Sequence, residues 1–333
     1  MNIKWKLFGW SIFLLISILF CVLLSFRPIP KVVSSNDTGR YISNLHLYCR
    51  GAQSEEMAGR EISYRVFYAV TSPACIASSD GVFLFEVAFF LPMAFLLFAR
   101  WSAGTLIWSI SLLFSVYGLE LMTNAMRQSL GMLLFFGALT LAKKHKVKAL
   151  VLAALAVAAH TSVIAFLPLA FWVSNTQLSR TRLLIVTICL ILIGGATTLV
   201  NNNIIFDFFE NANDLRGAYS LIYENELKIS FQLFMALPLY MVYGLRRFFE
   251  KEMVSPDEHK GIIYSTVLLV SCYILFPYIT YRYSIFAVAM QIFFVSLSKQ
   301  HSVRIGAVAL IGFLMHLIFM ALTTDHFRFL FYK

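Results

Sequence analysis

Along this chain the apolar residues do not alternate with polar ones at the period of a half-buried helix or strand; they run together. Nine stretches of bilayer length occur, at 5–26, 81–99, 102–119, 121–142, 181–200, 228–245, 261–279, 283–298 and 303–322. Crossing the hydrocarbon core takes roughly 20 apolar residues in a helix, so each stretch predicts a transmembrane helix. A tenth stretch, 147–173, is too long for one ordinary span and short for two, and His160, Thr161 and Ser162 interrupt its middle, with Pro168 beyond. This pattern predicts a hairpin of two short helices, giving about 11 transmembrane helices. The largest extramembrane piece is 27–80, about 54 residues, too poor in regular apolar pattern for an independent domain. It is expected to pack on the bundle. Within it, Ile62–Pro73 (ISYRVFYAVTSP) has the length of a re-entrant or interfacial helix rather than a span. The predicted fold is an all-α polytopic membrane protein forming one transmembrane domain over 1–333, with a long outer loop at 27–80.

Composition agrees and narrows the function classes. Of 333 residues, 59% are hydrophobic and 13% charged, against about 25% charged in soluble domains. Secreted, cytosolic, disordered and disulfide-scaffold readings are excluded together. The net charge of +10 does not point to nucleic acid, because many of the basic residues fall in short loops between apolar runs, where they orient the chain.

With eleven crossings, the inner side holds Lys4, Lys6, Arg100, the Lys143–Lys148 turn, Arg180, Arg182, Arg246, Arg247, Lys251, Lys260, Lys299 and Arg304: fifteen basic residues, nine of them Lys. The outer side holds twelve, nine of them Arg, with thirteen of the seventeen acids. A single span at 147–173 would invert the basic 246–260 loop to the outside, against the positive-inside bias. The Arg-rich outer face is not a topology signal. The guanidinium fork matches phosphate or carboxylate bidentately, so an anionic ligand on the outer side is one reading, and loop ion pairs are the other.

The first run has a basic start but no small-x-small cleavage site before Arg27 and Pro28, and Cys21 follows bulky Phe20. It is expected to remain as an uncleaved first helix. Cys49 and Cys75 share the outer loop, and nothing in their spacing fixes whether they are bonded.

Ionisable groups inside spans are costly and therefore functional candidates. Glu120, Asn124 and Arg127, followed by Gln128, open the fourth span; spacings of 3, 4 and 7 put the first three on one face of a continuous helix. Arg127 would lie one to two turns below the outer surface, snorkelling toward a ligand or pairing with Glu120. His160 sits where the two hairpin helices meet, close to a helix N-terminus suited to an anion, and can exchange a proton near neutral pH. Arg282 is fixed near the outer mouth by a very short turn. His316 reads as an interhelical hydrogen bond. In the outer loop, Asp37, Arg40 and Tyr41 form one polar cluster, and Glu61, Tyr64 and Arg65 a second. Aromatic rings beside carboxylates suit a sugar groove, and they equally suit an amphipathic helix with snorkelling charges.

Walker A, Rossmann and nucleophile-elbow motifs are absent, no metal constellation occurs, and no inverted repeat of broken helices is visible. No cofactor is expected.

The string Asn124-Ala-Met-Arg127-Gln128-Ser-Leu-Gly, the basic turn KKHKVK, a short helix ending in His160-Thr-Ser, the late Tyr-Arg282-Tyr and the clusters Asp37…Tyr41 and Glu61…Tyr64 together resemble the EpsG-like branch of bacterial polysaccharide polymerases over about 30–300. Where an E-P-G-Y-like string is expected, this chain reads Glu61-Ile-Ser-Tyr64. The resemblance implies a Wzy-type O-antigen or exopolysaccharide polymerase in the bacterial cytoplasmic membrane, multi-pass, with its active site facing outside. It implies metal-independent glycosyl transfer between undecaprenyl-diphosphate-linked oligosaccharides, with membrane lipids and a chain-length regulator as further partners. Arg127 and Arg282, with Arg65 or Arg40, would stabilise the diphosphate, and His160 or Glu61 would be the base. Asp37, Tyr64, Glu120 and Gln128 would line the substrate site. The competing classes are a transporter or flippase of lipid-linked sugars, a membrane O-acyltransferase using His160, and an assembly subunit without chemistry.

Overall fold

A computed structural model of the 333-residue chain describes residues 3–27, 29, 37–52, 62–77, 79–98, 103–167, 244–249, 256, 259–261, 263, 264, 285 and 303–323. The described residues are helical, with no strand among them. The predicted spans at 181–200, 228–245, 261–279 and 283–298 lie outside them, except for a few residues.

Helix α1 (Ile3–Ser25) and α5 (Asp80–Phe98) are apolar on every side and long enough to cross a bilayer. Leu7, Phe8, Leu15, Leu19 and Leu23 of α1 stand exposed, as lipid-facing side chains do, whereas Phe13, Cys21 and Leu24 are buried against the bundle. Helix α10 (Val303–Thr323) coincides with the predicted last span. These three helices realise the expected stretches 5–26, 81–99 and 303–322.

The segment 27–80 supplies α2 (Asp37–Cys49), α3 (Ile62–Thr71) and the short α4 (Pro73–Ala77). Both longer helices bury residues at i, i+3, i+4 and i+7: Thr38, Tyr41, Ile42 and Leu45 on α2, and Tyr64, Phe67, Tyr68 and Thr71 on α3. Tyr41 packs on Phe67 with ring centroids 5.5 Å apart, and Phe67 meets Phe83 of α5 edge-on at 5.9 Å. This aromatic layer also takes in Met126, Leu130 and Ala159, joining the outer helices to the bundle. Helix α2 ends in a Schellman turn: Ala52 N–H donates to Leu47 C=O (2.9 Å), Gly51 N–H donates to Tyr48 C=O (3.0 Å), and Gly51 takes φ +69°. A Cys49–Cys75 disulfide with Cα atoms 5.4 Å apart ties α2 to α4. His46 and Asp80, 2.6 Å apart, link α2 to the start of α5.

The region 102–142 departs from expectation. Instead of two spans it forms three helices: α6 (Ala103–Leu113), α7 (Val116–Thr123) and α8 (Met126–Leu141). Ser115 has an extended backbone and accepts the Gly118 N–H at 3.0 Å, which starts α7 afresh. The second break, at Asn124–Ala125, separates Glu120 from Arg127, so the two do not lie on one continuous face. Asn124 has φ −126°, ψ −54°, and its side chain bonds locally in place of continuing the helix.

Helix α9 (Lys146–Ala159) ends at His160, whose backbone is extended (φ −157°, ψ 120°), and a 3₁₀ turn follows at Thr161–Phe166. The predicted interruption at His160 is therefore present. The remainder of the second hairpin helix lies outside the described residues. Helices α8 and α9 approach closely at Gly131: a Cβ there would sit 3.2 Å from Val163 Cγ2, 3.3 Å from His160 Cβ and 3.4 Å from the Ala156 carbonyl oxygen.

Candidate functional site: an arginine at a helix break

The break between α7 and α8 leaves the Thr123 carbonyl without its normal helical donor, and two outer-segment groups take it. Arg27 Nη2 donates to it at 2.8 Å and Thr38 Oγ1 at 2.6 Å; Arg27 also donates to Thr38 Oγ1 (3.3 Å) and to the Leu24 carbonyl (3.2 Å). Asn124 extends this clamp: its Oδ1 accepts the Asp37 backbone N–H at 2.9 Å, and its Nδ2 donates to Glu120 Oε1 at 2.7 Å. Burial pushes the Arg27 guanidinium down to about 10, so it remains cationic near neutrality. Arg27 and Thr38 were legible in sequence only as loop residues.

Just beyond the break, Arg127 occupies the first turn of α8, 6% exposed. Its guanidinium carbon lies 3.7 Å from the centroid of the Tyr64 ring and 5.8 Å from that of Tyr41. Its Nε donates to the Tyr41 hydroxyl at 3.3 Å. A desolvated cation over an aromatic face contributes about 2 kcal/mol, which offsets part of the cost of removing the charge from water. Behind Tyr64 the rings continue as a column, Tyr64 stacking on Tyr68 at 6.4 Å and Tyr68 on Tyr48 at 5.8 Å. Burial first, then the neighbouring tyrosines Tyr41 and Tyr64, raises the Tyr68 phenol far above its ordinary value. It stays neutral and donates to the Tyr41 carbonyl at 3.1 Å.

Gln128 is buried beside Arg127. Gly131, one turn further along α8, is the point of contact with His160, which is 8% exposed. The packing therefore brings Arg127, Gln128, Tyr64 and His160 to one end of the α8–α9 pair. Other expected residues fall elsewhere. Arg40 is paired with Asp37 of its own helix at 2.5 Å, with both side chains partly exposed. Arg65 is on the exposed side of α3. Glu120 is buried on α7, with Asn124 as a hydrogen-bond partner. Glu61 and Arg282 lie outside the described residues. Among the described residues no three His, Cys, Asp or Glu side chains converge as a metal site would require.

Three groups escaped the sequence reading. Arg27 reads in sequence as a loop charge, and Tyr41 as part of a polar cluster suited to a sugar groove or an amphipathic helix, not as a partner of Arg127. Glu86 stands alone in the apolar run VFLFEVAFF of α5, with Oε2 buried and without a hydrogen-bond partner among the described residues. A carboxylate in such a run was itself the signal.

Comparison with known proteins gives one result of substance. A family model described as the EpsG family matches residues 10–333. No curated protein and no solved structure matches the chain.

Proposed function

The chain belongs to the EpsG family, and from that premise we propose that it is a polysaccharide polymerase acting on lipid-diphosphate-linked oligosaccharides at the outer face of the cytoplasmic membrane. It is a membrane protein, and the proposed topology is eleven crossings with 27–80 outside. The observation that carries the reading is Arg127: a cation buried at a helix break, held between two tyrosines and one turn from the contact between Gly131 and His160.

In the proposed reaction, the bond between the anomeric carbon of the growing chain and its diphosphate oxygen breaks, and the electron pair departs with the diphosphate. A hydroxyl of the incoming lipid-linked unit forms the new bond to that carbon and gives its proton to His160. Negative charge develops on the leaving diphosphate, and a fixed cation in a water-poor site stabilises it most where the charge is greatest, in the transition state. Arg127 supplies that cation, Gln128 adds an amide beside it, and Arg282 is proposed as a second charge from the late outer turn. A deprotonated histidine takes the hydroxyl proton near neutral pH; Glu61 is the alternative base. The charge work assigned to arginine replaces the divalent cation that many transferases use.

The test is an assay of purified full-length protein with an undecaprenyl-diphosphate-linked oligosaccharide, with and without chelator, read as a ladder on a gel. A chelator-insensitive ladder that disappears in Arg127→Ala and falls steeply in His160→Gln supports the reading. Binding of the lipid-linked sugar without a ladder, across several repeat units, overturns it in favour of transport.

A further inference from the structure

We propose that the Tyr41 hydroxyl is a second donor to the leaving diphosphate, acting beside Arg127. The proposal rests on the polymerase reading and adds to it a group that touches the substrate.

A phenol has one proton to donate and two lone pairs to accept with. The Tyr41 oxygen already accepts from Arg127 Nε at 3.3 Å, so its own O–H is directed away from the guanidinium. Tyr41 is only 3% exposed, and among the described residues that O–H has no acceptor. The hydroxyl is thus satisfied as an acceptor and unused as a donor, and an O–H without an acceptor at the edge of a cation is suited to an anion. A phenol that accepts from a guanidinium also becomes a better donor, because hydrogen bonds in a chain polarise one another.

Tyr41 is held for this task from three sides. Its ring packs on Phe67 at 5.5 Å, its carbonyl accepts the Tyr68 hydroxyl at 3.1 Å, and the guanidinium of Arg127 lies 5.8 Å from its ring centroid. Tyr64 covers Arg127 at 3.7 Å, so an approaching anion is confined to the edge of the guanidinium. That is the side on which the hydroxyl of Tyr41 sits. An oxygen of the departing diphosphate bridging the guanidinium edge and the phenol receives two donors from two different helices, α2 and α8. No proton is transferred in this contact, and the hydroxyl proton of the acceptor sugar goes to the base as before.

Tyr41→Phe removes one oxygen, leaves the Phe67 packing and the Tyr68 bond to the backbone intact, and takes away the acceptor of Arg127 Nε; thermal unfolding of the variant, expected within a few degrees of wild type, is therefore read beside both assays. Two readouts on the full chain decide the matter. In the polymerisation assay, Tyr41→Phe is expected to lower kcat about 10²–10³-fold, the range for losing one preorganised donor to a developing anion, with KM changed less than about threefold. In equilibrium binding of undecaprenyl diphosphate and of inorganic diphosphate, the same variant is expected to bind about tenfold more weakly, the equivalent of one charge-assisted hydrogen bond. A wild-type ladder with Tyr41→Phe within twofold of it overturns the Tyr41 assignment and leaves the polymerase standing. Diphosphate binding without any wild-type ladder overturns the polymerase, and the binding ratio of the two proteins then still decides Tyr41. Equal binding, or no binding to either, overturns the assignment.

Discussion

Replacing Arg127 by Lys keeps the charge and removes the shape, which makes it the sharpest probe of why an arginine is buried at the α7–α8 break. The guanidinium lies flat over Tyr64, with its carbon 3.7 Å from the ring centroid, while Nε reaches the Tyr41 hydroxyl at 3.3 Å. An ammonium cannot stack in this plane, cannot reach Tyr41 from the same position and cannot present two parallel donors to a phosphate. Losing about half of a desolvated cation–π contact removes about 1 kcal/mol, and losing one charge-assisted hydrogen bond to the ligand removes about 1.5–3 kcal/mol. The first loss falls on the folded protein, because the Tyr64 contact is present without substrate; the second falls on the transition state and corresponds to a fall of roughly 10- to 10²-fold in kcat/KM. Initial ladder-formation rates for purified wild type, Arg127→Lys and Arg127→Met, together with thermal unfolding in the same detergent, measure it. Lys is expected to melt a few degrees below wild type and to lose about one to two decades of activity. If Arg127→Lys retains more than half the wild-type rate, point charge suffices and the bidentate role is wrong. If Lys and Met both unfold before any assay temperature, Arg127 is a structural cation.

Three further outcomes follow from the packing. Arg27→Met removes donors to the Thr123 and Leu24 carbonyls and to Thr38 while relieving a buried charge; it is expected to destabilise by about 2 kcal/mol, seen as a melting shift of several degrees, with Arg27→Lys recovering part of it. Gly131→Ala places a Cβ 3.2 Å from Val163 and 3.3 Å from His160, and overpacking of about 1–3 kcal/mol is expected to lower both melting temperature and activity, whereas Gly312→Ala, with nothing within 4 Å, serves as the silent control. Reducing the Cys49–Cys75 bond opens a closure of 26 residues, a loss of about 3.5 kcal/mol in the chain-entropy estimate; dithiothreitol is expected to lower the melting temperature of wild type and leave the Cys49→Ser/Cys75→Ser double variant unchanged.

How much of this was readable in the sequence depends on what each feature needs. Helices α1, α5 and α10 need only a long apolar run, and their limits fall within a few residues of those runs. His160 and Arg127 were readable because each interrupts or opens an apolar stretch, where a polar residue has few inert explanations. The amphipathic spacing of Thr38, Tyr41, Ile42 and Leu45 is also present in the sequence, but the polar cluster Asp37, Arg40 and Tyr41 at its start masks the helix. The break before Val116 was not readable from hydrophobicity, since the apolar pattern continues across it, and the polar stretch 120–129 does not by itself show where a helix stops. Residue types carry the rest: Ser115 caps a new helix, and the Asn124 side chain bonds Glu120 and the Asp37 N–H. The Cys49–Cys75 bond and the convergence of α2, α3 and α8 depend on tertiary packing, on which spacing alone is silent.

The break is what makes the site. At 100° per residue, seven residues of unbroken helix would bring Arg127 back almost above Glu120, and the two charges could answer one another along a single face. With the helix broken, Asn124 occupies Glu120 and the Asp37 backbone, while Arg27 and Thr38 occupy the Thr123 carbonyl. These bonds tie the start of α2 to the end of α7, and α2 carries Tyr41 one turn further on. Arg127 begins a new helix and meets tyrosines from α2 and α3. Gly131, one turn beyond Arg127, lies on the α8 face that α9 covers, against His160 at the end of α9. A continuous span would have set Arg127 on the face of Glu120; the interrupted one holds a cation and a histidine at one end of two packed helices, the arrangement on which the proposed transfer from a diphosphate leaving group depends.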